Sequence, residues 1–585
     1  MDYQKCCFCG LCVDACPTGS LQFTKFPFIL TMDRNSLVYP PEKLAQPPEL
    51  EHPEKPKIRK IVDWARSRSI WVINFFTGCG FIEAIPWVSS GFDMERFGLI
   101  AVGSARHADA IIVGGFVTPK TLKRIIRIYN QMPPPKWVLA FGNCPMSGGC
   151  YWDSYNTIKH LDDYIPVDIW IAGCPPRPEP IGVAVVHAIY AIQNGYRGKE
   201  ERSKGPRVPE IVKCEEEGEV VIPFGPQHPA SGNFHLGLTT DGEVVREAVP
   251  YAGYLHRGFE KLMEYRTWLQ NIMLVSRICV LDGASLELAY AGAVEAVAGI
   301  HPPKRARYLR VIQAELSRIQ SHLLNLGLIT NAAGLDAGAR IAWGDRERIL
   351  ALLERMTGAR IYSIFTVPGG VRGDVKPSVI ELARKTVKEM RKRLKLYDDL
   401  FFNNGVFIKR TKGVGVFSKD DAAEYDLVGP NMRACGVDFD VRKNSPYDAY
   451  PDLEFEVPTA QEGDAYHRML CRRREIEESL GIVEQVLEKL PEGEVRDGKM
   501  KNGKVLKFFS AVPEGEAIHC VESARGELCF HMVSDGSKNP YRVHIKGPSF
   551  DTILTFLPRL LEGVTIADVP VIYWSLDNCP ADHDR

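Results

Sequence analysis

The sequence carries almost no charge imbalance: 72 Lys and Arg stand against 73 Asp and Glu in 585 residues, a formal net charge of -1. No global field draws such a chain to nucleic acid or to an anionic membrane, so its partners must be recognised at sites. Long apolar runs are missing too. The longest nearly uninterrupted one, Ile181 to Ile192, contains His187 and falls short of the roughly 20 residues that cross a bilayer. The first residues lack the basic-then-apolar order of a signal peptide, which predicts a location inside the cell. No internal repeat is present. Cysteine is sparse, 16 in all, and five of these fall between Cys6 and Cys16. The rest are scattered, several beside Gly or Pro, which fits metal ligands better than the paired spacings of a disulfide-rich secreted module.

What is present is ordinary globular material: 45% apolar, 25% charged and 10% aromatic residues. At roughly 150 residues per domain the length predicts three or four packing units, so the chain is multidomain. Residues 1–60 are a small cysteine-rich start followed by a linker containing Pro40, Pro41, Pro47, Pro48, Pro53 and Pro56. Across residues 61–197, β-rich runs (Ile70 to Phe76, Ala110 to Val113, Trp137 to Phe141, Asp168 to Ala172) alternate with helical patterns such as Leu122, Ile125, Ile126 and Tyr129. That alternation predicts an α/β domain with a parallel sheet and crossover helices. A polar linker, residues 198–218, includes GKEERSKG and leads into residues 219–585, which read as mostly helical. There, Leu309, Ile312, Leu316, Ile319 and Leu323 step by three and four, predicting a helix from Lys304 with one buried stripe, closed by Gly327.

Cys6, Cys9, Cys12 and Cys16, followed by Pro17, spell CxxCxxCxxxCP, the ferredoxin-like run that wraps thiolates around a 4Fe-4S cube. The two-residue spacings bring consecutive thiolates to neighbouring corners, and Gly10 allows close backbone approach. Cys7 lies outside the spacing and reads as a bystander. In two-cluster ferredoxins the cysteine before Pro serves the other cluster, and no second run exists here. Either Cys16 folds back to complete one cluster, or the chain holds half of a ferredoxin whose other half lies on another chain.

In the α/β segment Cys79 follows IWVINFFTG, Cys144 follows WVLAFGN and Cys174 follows DIWIAG. Ligands of open α/β sheets gather outside the carboxyl ends of strands, so the three predict one metal site. The surrounding motifs, TGCGFIEAIPW, GNCPMSGGCYWDSYN and PVDIWIAGCPPRPEP, resemble the small cluster-bearing subunit common to respiratory complex I and energy-converting nickel-iron hydrogenases. The resemblance implies a flavodoxin-like parallel-sheet domain with a second 4Fe-4S cluster. Gly80 stands where that family carries a cysteine, leaving one ligand to be found. Cys150 or a group from the third segment could supply it; Cys150 reads equally as a buried cysteine beside a Gly-Gly turn.

From Phe224 onward the motifs GPQHPASGNFHLGL, GYLHRGFEKLMEYRTWLQN, RYLRVIQAELSRIQSHLLNLG, NMRACGVDFDVRKNSPYDAYPDLEFEVP and GPSFDTILTFLPRLLEGVTIADVPVIYWSLDNCPADHDR resemble the complex I catalytic 49-kDa subunit and its hydrogenase large-subunit relatives. A large, mainly α (α+β) domain is implied. In the hydrogenases two CxxC pairs hold nickel and iron. The matching positions here read Cys279-Val280-Leu281-Asp282 and Cys579-Pro580-Ala581-Asp582, so both pairs have become CxxD. A carboxylate is a harder ligand with less affinity for soft metals, and no nickel-iron centre is expected. The chain stops at Arg585, without the extension that hydrogenase precursors shed, which adds an expectation that nickel maturation has been abandoned. In complex I a His of the GPQHPAxHG loop and a Tyr on the early helix contact the quinone headgroup. Gly232 and Val280 occupy those positions and offer no hydrogen bond from a side chain.

Cys279 and Cys579 with Asp282 and Asp582 are therefore the expected catalytic set: thiolates exchange with the S–S bond of a polysulfide, and desolvated carboxylates carry protons. The membrane-bound sulfane sulfur reductase branch of the superfamily is the resemblance that fits this set. It also implies a proton-path role for Glu260 and cluster-flanking roles for Arg257 and His322. The plain alternatives are polar replacements lining a dead pocket for the aspartates, and surface or capping roles for Arg257 and His322. Cys435 replaces a small residue of the family pattern, and Cys214, Cys471, Cys520 and Cys529 read as structural.

The expected function is that of a peripheral-arm oxidoreductase on the cytoplasmic face of the membrane. It passes electrons from reduced ferredoxin or another subunit through two 4Fe-4S clusters to a modified hydrogenase-like pocket that reduces sulfane sulfur. Its partners are integral membrane ion-pumping subunits, with no nucleic acid. No GxGxxG follows a strand and no flavin signature occurs, which argues against NADH binding on this chain. Two alternatives remain: an NADH- or ferredoxin-linked quinone oxidoreductase of complex I type, and a nickel-free coupling or electron-transfer scaffold.

Overall fold

The computed structural model of the chain describes residues 2–8, 12–13, 29–44, 61–88, 92, 94–199, 220–228, 231–498 and 511–585. Cys9, Cys16, Cys214, the later part of the Pro-rich stretch and most of the 198–218 linker lie outside the described residues. Two compact units form. The first comprises Met1–Glu216, Pro226–Asn233 and Gly253–Arg257; the second comprises Glu217–Gly225, Phe234–Ala252 and Gly258–Arg585. Two short loops of the third sequence segment thus pack with the α/β unit.

In the first unit β1 (Ile29–Thr31), β2 (Ile70–Phe76), β3 (Leu99–Ala101), β4 (Ala110–Gly114), β5 (Trp137–Phe141) and β6 (Ile169–Ala172) form one sheet in the order β1-β6-β5-β4-β2-β3. β2 to β6 are parallel, and β1 adds antiparallel to β6, with Ile29 opposite Ala172. β4, β5 and β6 are buried at every position, as near-continuous apolar runs in a two-sided parallel sheet should be. One core, including Ile125, Val138 and Leu161, covers one face; the other, including Ile112, Phe141 and Ile181, covers the opposite face. Four of the six strands follow the runs read from the sequence; β1 and β3, three residues each, are too short to show a period.

Helices of this unit include α1 (Ile61–Ser67), α2 (Cys79–Ala84), α3 (Pro119–Gln131), α4 (Cys144–Ser147) and α5 (Glu179–Gln193). α3 begins with a reciprocal capping box between Thr118 and Thr121 and buries Leu122, Ile125, Ile126 and Tyr129, the face its periodicity predicts. α5 contains the long apolar run. Its Ile181, Ala184, Val185, Ile189 and Ile192 are buried in a sheet-covering core. Among the described residues no helix is long and apolar enough to cross a membrane. The parallel strands reverse direction of succession between β2 and β4, the place where doubly wound sheets open a crevice at their carboxyl ends.

The second unit opens with an antiparallel sheet of β7 (Val220–Phe224), β8 (His235–Asp241) and β9 (Val244–Tyr251). α6 (Phe259–Tyr265), α7 (Trp268–Val275), α8 (Gly283–Ala298), α9 (Lys304–Ala332) and α10 (Asp336–Thr357) follow. After the short ladder of β10 (Thr366–Val367) and β11 (Gly370–Val371) come α11 (Pro377–Tyr397) and α12 (Ala465–Lys489). A three-stranded sheet, β12 (Gly515–Ser523), β13 (Gly526–Ser534) and β14 (Arg542–Lys546), precedes α13 (Val569–Ser575) and α14 (Pro580–His583). α9 is the axis, packed against α10, α12 and α13.

The stripe Leu309, Ile312, Leu316, Ile319 and Leu323 is buried, but α9 does not end at Gly327. The helix runs on to Ala332. At Gly327 a Cβ would lie 2.1 Å from Nε1 of Trp343 on α10, so this glycine lets two helices close and caps nothing. The other faces of α9 are buried too, and their charges are paired internally: Glu315 with Arg318 at 3.2 Å and with Arg442 at 3.1 Å, and His322 with Glu475 at 2.9 Å. Burying such groups is tolerable only with partners of this kind.

Candidate functional site

In the first unit the cysteines sit where the strands end. Cys79 opens α2 after β2, Cys144 opens α4 after β5, and Cys174 lies just beyond β6. Gly80 packs against the end of β4. A Cβ there would lie 2.7 Å from the Gly114 carbonyl carbon, so the position of the family cysteine is closed to any side chain. Cys150 is buried in the turn Gly149–Tyr151, and a Cβ on Gly149 would come within 3.0 Å of Cys144 Sγ. Cys79, Cys144, Cys150 and Cys174 keep their thiols outside any disulfide bond, a soft donor set that suits an iron-sulfur cluster.

Of the N-terminal run, Cys6 and Cys12 are described and also keep their thiols, Cys6 half-buried and Cys12 exposed. Arg257 lies in this unit beside the Cys150 turn. It donates to Tyr151 Oη at 3.1 Å and stacks over the Phe116 ring, 4.5 Å from its centroid. Gly232 has a φ of 58°, a left-handed backbone that a side-chain-bearing residue disfavours.

In the second unit Cys279 and Cys579, 300 residues apart, share a hydrogen bond between their thiols. Cys279 lies in the turn between α7 and α8. Gly283 permits that turn, since a Cβ would lie 2.9 Å from the Ser276 carbonyl oxygen. Cys579 precedes α14, and its N–H donates to Ser549 Oγ at 3.1 Å. The hydrogen bond from Cys279 lowers the Cys579 pKa, aided by the Arg525 charge against the cost of burial, while the same bond and burial raise that of Cys279. The two thiols therefore titrate as a pair, and the first deprotonation leaves one proton between them.

Arg525 is the residue that sequence reading passed over. It stands at the two-residue tip between β12 and β13, with Nη1 3.7 Å from Cys279 Sγ. Nε donates to the Asp577 carbonyl at 2.9 Å and Nη2 to its carboxylate at 3.1 Å. Burial opposes its charge, and Asp577 with the two thiols outweighs burial, holding its pKa above the ordinary value. The only trace in the sequence is one Arg at the turn of an alternating stretch, CVESARGELCF.

The two aspartates differ. Asp282 caps α8 and accepts from Ser285 N–H at 3.5 Å, Ser285 Oγ at 2.8 Å, Ser317 Oγ at 3.0 Å and Ala524 N–H at 2.8 Å. Four donors converge on it and hold its carboxyl group in place. Asp582 accepts one N–H, from Ser549 at 3.2 Å, and its other oxygen is buried without a hydrogen-bond partner. Burial raises its pKa. Glu260, on the first turn of α6, is partly exposed and accepts from Ile545 N–H at 2.9 Å, with His544 at 3.2 Å and Arg585 at 3.5 Å. His322 is buried on α9, and burial lowers its pKa against the hydrogen bond to Glu475. Val280, next to Cys279, is buried.

Glu475 belongs to an ionic network in which Arg433 bridges it at 2.6 Å to Glu522 at 2.8 Å. Burial, then the charge of Asp440, pushes the Glu522 pKa up to about 7 from an ordinary 4.5, against Arg433, Arg318 and Arg442. The folded chain then keeps a proton that the unfolded chain releases, so this group's contribution to stability declines from pH 4.5 to about 7 and is level above. Glu522→Gln is expected to flatten that decline in urea-unfolding midpoints across this pH range; an unaltered profile would contradict the assignment.

Cys435 and Cys471 are buried and free. Cys520 and Cys529, read from the sequence as structural, face each other across β12 and β13 and form a disulfide. Hairpin register, invisible in their spacing, makes the pair. Among the described residues the triad of metal-ligand atoms within 4.8 Å is Cys520, Glu527 and Cys529, and its sulfurs are spent in that bond.

Comparison with known proteins agrees with this division. The model of the respiratory-chain NADH dehydrogenase 49 kDa subunit matches residues 333–585, that of the NADH ubiquinone oxidoreductase 20 kDa subunit matches 78–188, and a 4Fe-4S binding domain matches 1–22. A subunit of the NADH-quinone oxidoreductase of Thermosipho melanesiensis is 42% identical over 369 residues, 63% of this chain and 100% of that protein. A subunit of the F(420)H(2) dehydrogenase of Methanosarcina mazei is 41% identical over 63% of this chain and 99% of that one. A chain in the structure of the membrane-bound sulfane sulfur reductase, an archaeal respiratory membrane complex, aligns with a TM-score of 0.60 at 43% identity, covering 63% of this chain and 98% of its own length. The chain belongs to the oxidoreductase family of the 49 kDa subunit of complex I and its hydrogenase-related kin, joined in one polypeptide to 20 kDa-subunit-like and 4Fe-4S-binding segments.

Proposed function

We propose that the chain is the peripheral arm of a membrane oxidoreductase that reduces sulfane sulfur at the Cys279–Cys579 dithiol. The observation that carries this reading is the Arg525 guanidinium 3.7 Å from Cys279 Sγ, beside a buried thiol pair whose members influence each other's ionisation. Cys6, Cys9, Cys12 and Cys16 would hold one 4Fe-4S cluster, and Cys79, Cys144 and Cys174 with Cys150 a second. No position in the described pocket repeats the thiolate pairs a nickel-iron centre needs.

The Cys579 thiolate forms a bond to a sulfane sulfur of the polysulfide. The bond from that sulfur to the rest of the chain breaks, and the remainder leaves as a thiolate. Cys279, after giving its proton to the departing sulfur or to Asp582, bonds to Cys579 Sγ and expels hydrosulfide, leaving a Cys279–Cys579 disulfide. Two electrons and two protons return the dithiol; the electrons are what a thiolate-held iron-sulfur cluster supplies when bound. Arg525 favours the thiolate and the anionic substrate. Asp582, with its free oxygen and raised pKa, is placed to exchange protons, whereas Asp282 is an anchor. Glu260 would pass protons toward it, and Arg257 and His322 would tune the neighbouring cluster.

The donor is reduced ferredoxin or another subunit, and integral membrane ion-pumping subunits complete the complex at its cytoplasmic face. Support comes from the relative described as an archaeal respiratory membrane complex and from the absence of a membrane-crossing helix among the described residues. The test is anaerobic purification with metal analysis and persulfide trapping. About eight irons per chain without nickel are expected, and polysulfide should add sulfur to the Cys579 peptide seen by mass spectrometry. Stoichiometric nickel, or turnover with a soluble quinone and none with polysulfide, would reject the reading.

A further inference from the structure

Asn143 is buried, 1% exposed, directly before Cys144. It heads α4 but makes no side-chain cap to that helix, so its amide is not explained by local helix chemistry. The amide is spent across the unit. Oδ1 accepts from Gly173 N–H at 2.7 Å, next to Cys174, and the Asn143 N–H donates to the Gly173 carbonyl at 2.9 Å. Nδ2 donates to the Cys6 carbonyl at 2.5 Å. One turn on, Ser147 Oγ donates to the Gln4 carbonyl, also at 2.5 Å. Segments carrying Cys6, Cys144 and Cys174 therefore meet on one side chain.

We propose that Asn143 is a positioning residue that couples the N-terminal thiolate run to the thiolates at the carboxyl ends of the sheet, and so sets the contact between their two clusters. The inference rests on the two-cluster reading above. One connection between Cys6 and Cys144 is then covalent apart from a single hydrogen bond, made by an amide that must donate on one side and accept on the other. An ionised carboxylate keeps the acceptor for Gly173 and loses the donor for Cys6; a shorter hydroxyl spans neither gap. No bond is made or broken at Asn143; the residue fixes the spacing of the segments whose thiolates would hold two clusters, between which one electron would pass.

The test uses the reduced holoprotein. In the wild type, electron paramagnetic resonance should show two cluster signals with a mutual magnetic interaction. Asn143→Asp and Asn143→Ser should retain both signals and lose the interaction, while hydrogen exchange at residues 2–8 quickens. An unchanged interaction in both variants overturns the proposal, as does loss of one signal in both, which would make Asn143 a folding residue. A wild type with one cluster signal refutes the two-cluster reading itself, before any variant is made.

Discussion

Cys579→Ala is expected to lower polysulfide-dependent oxidation of the electron donor by more than about 1,000-fold, because the nucleophile itself is removed. Iron-sulfur absorption should be unchanged, since no cluster is assigned to the second unit. Cys279→Ala should be as inactive in steady state and yet behave differently in one turnover. Cys579 can still take a sulfane sulfur, but nothing remains to resolve the persulfide. One sulfur per chain should therefore accumulate on Cys279→Ala and none on Cys579→Ala. A second consequence follows from the shared proton. The hydrogen bond from Cys279 is the largest influence lowering the Cys579 pKa, so its loss should move sulfur uptake to higher pH. Stopped-flow donor oxidation and mass spectrometry read both; steady turnover in either variant would remove the dithiol from the mechanism.

Asp282→Ala should destabilise the second unit by at least about 3 kcal/mol. Losing a helix N-cap costs on the order of 1 kcal/mol, and each buried donor left without an acceptor adds about 1–3 kcal/mol. Here the Ala524 N–H and the Ser317 hydroxyl would be stranded. The effect should reach the dithiol, because Ala524 is the neighbour of Arg525 at the hairpin tip. With that tip released, the Arg525 guanidinium loses its hold beside Cys279 and the first thiol pKa should climb. Calorimetry and the pH dependence of thiol alkylation measure the two parts. A fully stable Asp282→Ala with impaired proton delivery would instead make Asp282 a proton carrier, the role its spacing suggests from sequence.

That contrast shows where sequence reading stops. CxxD occurs twice, and spacing alone treats Asp282 and Asp582 as equivalent. Their difference lies in partners from elsewhere: Ala524 and Ser317 surround the first, while Gly547 makes room for the second, since a Cβ at that glycine would sit 2.2 Å from the Asp582 carboxylate. Gly327 is a similar case. A glycine ending an apolar stripe reads as a helix terminus, and the reason it is required, the Trp343 indole, belongs to another helix. His322 of α9 reads as a surface or capping residue because its pairing with Glu475 is not local in sequence.

Composition, periodicity and local turn chemistry by themselves determined the multidomain character, the parallel sheet with its strands from Ile70 to Ala172 and the cysteines at the strand ends, while the resemblance to hydrogenase large subunits implied the two substituted CxxC motifs. Each depends on residues within a turn or a strand length of one another, which is the range over which backbone geometry imposes a period. Only the tertiary structure decided that Cys279 meets Cys579, that Arg525 charges their pocket, that Asn143 gathers three cysteine segments and that Gly80 is closed to a ligand. Hydrogen bonds and close contacts depend on distances in space between groups far apart along the chain, and no local pattern records them.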